Sequence, residues 1–193
     1  MENYQENWLD HVKFNHISYD EFPLAKEKRY YFLEKVLGRE SSVVYKRNKY
    51  CFLIDRDNEI YKDLYLLDMY KEVLDSKKSI ESIIIPGEIV AIHHGRILPI
   101  NQLENLLKRF STSRDLNKLI NHYPYDILAL NNRSVNFSTV TNYLTMFYMH
   151  PLIRVPKFFK GDLKLAWKSF LKKRGIEGLM ARKEGGPNYL ILK

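Results

Sequence analysis

Apolar positions along this chain recur at two periods. Short runs with alternating or continuous apolar character predict strands at residues 43–45, 50–54, 60–61, 83–85, 88–92, 126–130, 176–181 and 189–192. Helical spacing predicts helices at residues 24–37, 65–74, 101–110, 138–150 and between Asp162 and Gly175. The helix over 24–37 follows Pro23 and stops at Gly38. Asn101, with Glu104 three residues on, suits a capping box. Asp162 suits an N-cap and Gly175 the C′ position, with Leu163, Ala166, Phe170 and Leu171 as the core-facing stripe between them. Asp57-Asn58, His94-Gly95 and Asn131-Asn132 mark turns, and Pro86-Gly87 separates two β-rich runs. The first 22 residues have weak periodicity and suit a docking arm. Helices and strands mix without a regular βαβ rhythm, so the fold class is α+β. The expected organisation is an N-terminal helical arm over 1–40 and one domain over 41–193.

Composition narrows the classes. At 193 residues and 45% hydrophobic, with 8 Gly and 7 Pro, the chain can bury a core and is neither disordered nor collagen-like. Its one cysteine, Cys51, excludes an internal disulfide framework and a Cys-rich zinc module. It lies in an apolar run, as a buried residue does, and fits a reducing, intracellular compartment. No apolar run approaches a membrane span, and residues 1–10 are polar and acidic, unlike a signal peptide. No Walker loop or dinucleotide fingerprint is present. His93 and His94 are adjacent on a strand and would point to opposite faces, so they read as a polar edge and turn.

Charge is unevenly placed. The net charge is +8, and residues 151–183 carry ten basic and two acidic side chains, which leaves the remainder neutral. Within that segment Lys164, Lys168 and Lys172 line one helix face, beside Lys173 and Arg174. Like charges at i, i+4 repel, and a polyanion would relieve them. The competing reading is a solvated helix face.

Four segments, in order, carry a resemblance. They are Pro86-Gly87-Glu88-Ile89-Val90-Ala91-Ile92, followed by Gly95-Arg96 and Gln102; Tyr125-Asp126-Ile127-Leu128; Ile176-Glu177-Gly178-Leu179-Met180-Ala181-Arg182-Lys183; and Tyr189-Leu190-Ile191-Leu192-Lys193. The ordered set resembles the ATP-dependent DNA ligase nucleotidyltransferase family over roughly residues 43–193. That resemblance implies a DNA ligase or mRNA-capping-enzyme-like fold, with two antiparallel sheets, flanking helices and a nucleotide cleft. It implies ATP and Mg²⁺ as cofactors and nicked DNA as partner, with use in DNA replication or repair. It implies that Glu88 and Glu177 hold Mg²⁺ or a ribose hydroxyl, that Tyr125 stacks on adenine, and that Arg182, Lys183 and Lys193 contact phosphates. Family members carry Lys-x-Asp-Gly, whose lysine amine attacks the α-phosphorus of ATP. Placed by order and by its strand, that segment is Lys46-Arg47-Asn48-Lys49, with Lys46 as the expected nucleophile and Arg47 and Lys49 adding positive potential. Asn48 and Lys49 depart from the motif. Ligases usually add a small β-barrel domain after the final motif. With the sequence ending at Lys193, the expectation is that another polypeptide supplies it or that the chain is shortened. Two alternatives stay open: a degenerate relative that binds nucleic acid or a partner protein, and an RNA ligase or capping-type enzyme.

Overall fold

A computed structural model describes residues 13–109, 114–170, 175–184 and 188–193, which form twelve strands and five α-helices beside short 3-10 turns. In chain order they are β1 (Lys13–Ile17), β2 (Tyr30–Val36), β3 (Arg39–Lys46), β4 (Tyr50–Asp55), β5 (Ile60–Tyr61), α1 (Tyr65–Ser76), β6 (Ser82–His93), β7 (Arg96–Ile97), α2 (Ile100–Arg109), α3 (Arg114–Asn117), β8 (Ile120–Pro124), β9 (Ala129–Leu130), α4 (Phe137–Leu144), β10 (Phe159–Lys160), α5 (Leu163–Phe170), β11 (Ile176–Lys183) and β12 (Asn188–Leu192). One sheet has the order β1-β12-β11-β2-β10, and the other β5-β4-β3-β6-β7, with β8 and β9 also paired to β6. Among the described strands, pairings are antiparallel except β1 with β12, which is parallel.

Alternation along the strands divides the core in three. Val43, Tyr45, Leu53, Ile83, Ile85 and Ile89 of the second sheet pack on Leu66, Tyr70 and Leu74 of α1, Leu103 of α2 and Phe137 of α4. Phe32, Leu179, Ala181 and Leu192 of the first sheet pack on Leu163, Ala166 and Phe170 of α5. Each such Leu or Phe contributes about 1.5–3 kcal/mol by burial. The opposite faces of β2, β11 and β12 carry Leu33, Met180, Tyr189 and Ile191, which pack with Tyr125 from the segment after β8.

Several sequence expectations change here. Residues 24–37 are not a helix. A 3-10 segment, Leu24–Arg29, gives way to strand β2. Both faces of β2 are covered, Phe32 by one cluster and Leu33 by another, and a strand apolar on both faces mimics helical spacing. Residues 30–40 therefore supply strands of both sheets. Asn101 lies inside α2, whose first turn closes on the Pro99 carbonyl through the Gln102 and Leu103 amides, at 3.0 and 3.1 Å. The helix expected over 138–150 is α4 capped by Asn136, whose side chain accepts from the Thr139 amide at 2.9 Å, followed by a 3-10 turn, Thr145–Phe147. β6 runs through Pro86-Gly87 unbroken. Asp162 does cap α5, accepting from the Leu165 amide at 2.8 Å.

Candidate nucleotidyl-transfer site

The two sheets meet at one charged cluster. β2 alternates Leu33 toward the space between the sheets, and its next residue on that face is Lys35. Lys35 Nζ donates to Glu88 Oε1 of β6 and lies 3.7 Å from Glu177 Oε2 of β11. Lys193, directly after β12, donates from Nζ to Glu177 Oε1 at 2.7 Å. Strands of both sheets thus deliver two amines and two carboxylates to one place.

Local irregularity aims these side chains. The β2–β11 register shifts between Ile176 and Gly178, opposite Val36 and Lys35, so Glu177 is the extra residue of a bulge. A bulge re-aims a side chain, and here it turns Glu177 toward Lys35. The glycines beside the two acids are required by packing. A Cβ at Gly178 would stand 2.3 Å from the Leu192 carbonyl oxygen, and one at Gly87 would stand 2.3 Å from His122 Nε2. The neighbouring chain, not a ligand, accounts for those bare backbones.

Burial sets the electrostatics. Glu88 is 3% exposed, and burial lifts its carboxyl from 4.5 to about 7 against the pull of the Lys35 charge and hydrogen bond, with Glu40 and Glu177 adding to the rise. Its second oxygen, Oε2, is buried with no hydrogen-bond partner. Glu40 faces Glu88 across the β3–β6 ladder and is also raised by burial. Burial pushes Glu177 up, but the hydrogen bond from Lys193 and the charges of Lys35, Lys193 and His16 win, and its carboxyl sits below its ordinary value.

Behind this cluster lies a buried clamp. Asp126 Oδ2 accepts from Arg182 Nε at 2.7 Å and from the Tyr189 hydroxyl, while Oδ1 accepts from the Ile127 amide at 2.7 Å. The Arg182 guanidinium also lies over the Phe137 ring, 4.6 Å from its centroid. Burial raises the Asp126 carboxyl, and the Arg182 charge offsets part of that rise.

The residues singled out from sequence are distributed unevenly around this site. Glu88, Glu177 and Lys193 are brought together. Tyr125 lies beside them, 3% exposed, with its hydroxyl 3.5 Å from Glu40 Oε1 and its ring edge-on to Tyr189 at 5.6 Å. Arg182 is held in the clamp and turned from solvent, and Lys183 is exposed. Lys46 is not brought in. The ladder pairs Glu40 with Glu88 but Lys46 with Ser82, six residues along, which is about 20 Å at strand rise. Lys164 and Lys168 are exposed on α5, opposite its buried stripe. Lys172, Lys173 and Arg174 lie outside the described residues. Sequence reading missed Lys35. Its signal was the spacing in Lys35-Val36-Leu37-Gly38, which keeps the Lys and Gly of Lys-x-Asp-Gly with Leu37 in place of Asp. The helical reading of residues 24–37 concealed it.

Among the described residues no group of three or more His, Cys, Asp or Glu gathers as a metal cage, and no helix is long and apolar enough to cross a membrane. His122 is buried and neutral: burial lowers its pKa to about 3, and its Nδ1 shares a 2.6 Å hydrogen bond with the Tyr70 hydroxyl.

No protein-family model and no curated protein sequence matches the chain. Solved structures do. A mycobacterial DNA ligase D complexed with ATP matches with a TM-score of 0.64 at 15% identity, over 96% of this chain and 61% of that one. The ligase domain of LigD from M. tuberculosis matches at 0.58 and 14% identity, over 95% and 59%. The ATP-dependent DNA ligase from bacteriophage T7, in complex with ATP, matches at 0.60 and 14% identity, over 96% and 69%. The chain spans about three fifths of the length of the two LigD structures. Two sheets, flanking helices and this likeness together establish the DNA ligase nucleotidyltransferase fold.

Proposed function

We propose that this chain is a ligase-type nucleotidyltransferase domain in which Lys35, rather than Lys46, takes AMP from ATP. The observation that carries the reading is the Lys35 amine held between Glu88 and Glu177, from strands of both sheets. In the first step the Lys35 nitrogen attacks the α-phosphorus. An N–P bond forms, the bond to the bridging oxygen breaks, and pyrophosphate leaves. An ammonium must lose a proton before it can attack. Glu88, with a pKa of about 7, is placed to accept that proton near neutral pH. Lys193 would balance negative charge gathering on the α-phosphate. AMP would then pass to a 5′-phosphate at a nick, and attack by the 3′-hydroxyl would release it.

The donor set fits a magnesium ion carried by the nucleotide. Glu88 Oε2 has no partner, Glu177 is adjacent, and magnesium needs only one or two carboxylates beside phosphate oxygens and water. The ion would neutralise phosphate charge. Nicked nucleic acid as substrate is supported by the fold, by the T7 and LigD likenesses and by the basic 151–183 segment. ATP labelled at the α-phosphate should label the chain, Lys35→Ala should abolish the label, and Lys46→Ala should retain it. Label lost with Lys46→Ala and kept with Lys35→Ala would reverse the assignment.

A second reading is a catalytically degenerate domain that binds nucleic acid or a partner without transfer. Three observations favour it. Leu37 replaces the motif Asp, Arg182 is committed to Asp126, and Leu33, Met180, Tyr189 and Ile191 fill the space between the sheets with Tyr125. Sealing of pre-adenylylated nicks bypasses the lysine step. Sealing there without labelling from ATP would indicate loss of the first step alone, and neither activity would favour the degenerate reading.

A further inference from the structure

A second charged cavity lies at the far end of β3, apart from the Lys35 cluster. It has a volume of about 340 Å³, within the ordinary range of small-ligand sites, between the β3–β4 hairpin and α1. Lys46 and Lys49 line it from the hairpin, Lys62 from the segment before α1 and Lys71 from α1, against Asp68 and Asp75. The ion pairs among the described residues engage Lys35, Arg39, Arg47, Lys118, Lys160, Arg182 and Lys193, and none takes any of these four lysines. Asp75 is already engaged, accepting from the Tyr45 hydroxyl at 2.5 Å. Cys51 adds no negative charge to the wall. Burial pushes its thiol up to about 12, and Sγ lies 3.9 Å from the Leu67 carbonyl.

The hairpin tip is held rigidly. Arg47 turns away from the cavity and donates to the carbonyls of Leu74, Asp75, Lys77 and Ile80. Asn48 adopts φ of 57°, and the Lys49 amide closes the turn on the Lys46 carbonyl at 3.0 Å. Lys46 and Lys49 thus reach the cavity from a turn with a set backbone, and Lys62 and Lys71 reach it from the segment before α1 and from α1. Four lysines outnumber two aspartates along this lining, and an anion would offset the excess positive charge.

We propose that this cavity is a phosphate-binding site, which takes a phosphate group of a nucleic-acid backbone or of a free polyphosphate. The site is independent of AMP transfer at Lys35, and its test needs no chemistry. Lys49→Gln/Lys71→Gln removes one exposed charge from each wall, and Lys108→Gln/Lys118→Gln is the charge-matched control on α2 and beside α3. Binding of the full chain to a fluorescent nicked duplex is followed by anisotropy across a salt series. Binding of inorganic pyrophosphate is followed by calorimetry. If the backbone is the source, the cavity variant binds the duplex at least about tenfold more weakly at about 0.1 M salt, and the slope of log K against log salt falls by about 2. If a free polyphosphate is the source, pyrophosphate binding weakens by a similar factor and duplex binding holds. Equal losses in the control variant, or no loss in either assay, overturn the proposal. Failure of ATP to label Lys35 leaves this result standing, since both measurements are equilibrium binding.

Discussion

Glu88 carries a large pH signature for a single residue. Its carboxyl is raised from 4.5 to about 7, so between those values the folded chain binds more protons than the unfolded one. Its contribution to stability is fully present below about 4.5 and is lost as pH rises through about 7. His122 acts with the opposite sign. Lowered to about 3, it weakens the fold as pH falls below its ordinary range. The two windows overlap, so the difference between wild type and Glu88→Gln isolates Glu88. Urea unfolding should show wild type losing stability relative to Glu88→Gln between pH 5 and pH 8. An unchanged difference would show that burial is not setting this carboxyl. The motifs singled out Glu88, Glu177 and Lys193, which the fold gathers in one cluster. Lys35 was missed, because the helical reading of residues 24–37 hid its Lys-x-x-Gly spacing, and its partners arrive only through the Glu177 bulge and a sheet-to-sheet contact.

At the scale of elements, Arg47 shows what the sequence could not disclose. Read along the chain it is one basic residue in a basic run. In the fold it satisfies four carbonyls at and beyond the C-terminal end of α1, two of them at 2.6 and 2.8 Å. Hydrogen bonds from a charged donor contribute about 1.5–3 kcal/mol, so Arg47→Ala should lower unfolding free energy by about that amount. Arg47→Lys, a point charge without the fork, should recover only part of it. A loss within about 0.5 kcal/mol of wild type would show that water replaces the guanidinium. The strand β4, with Leu53 in the core, and the capped start of α5 were readable from an apolar run and from Asp162. β2, covered on both faces, was read as helix. β8 escaped notice because its sequence, Ile-Asn-His-Tyr-Pro, looks polar, yet Asn121 and His122 are buried and paired.

Across the whole molecule, ionic contacts of two kinds join the sheets among the described residues. The Lys35–Glu88 pair belongs to the cluster that also holds Glu177 and Lys193. The Asp126–Arg182 pair, with Tyr189, is fully buried and fixes the segment after β8 against β11 and β12. Arg182→Met should cost about 3–5 kcal/mol, because it leaves a buried carboxylate without its cation, and Asp126→Leu/Arg182→Met should regain most of that loss. A double variant no more stable than the single one would contradict the clamp. The fold could be read from the ordered motifs, whereas the assembly of the site could not, since it depends on how one sheet lies against the other. Acceptance of AMP by Lys35 is the step on which the proposed chemistry rests. Peptide mapping by mass spectrometry, under neutral conditions after incubation with ATP and Mg²⁺, tests it directly. One AMP is expected on the peptide bearing Lys35, and AMP on the Lys46 peptide, or on none, would refute that assignment.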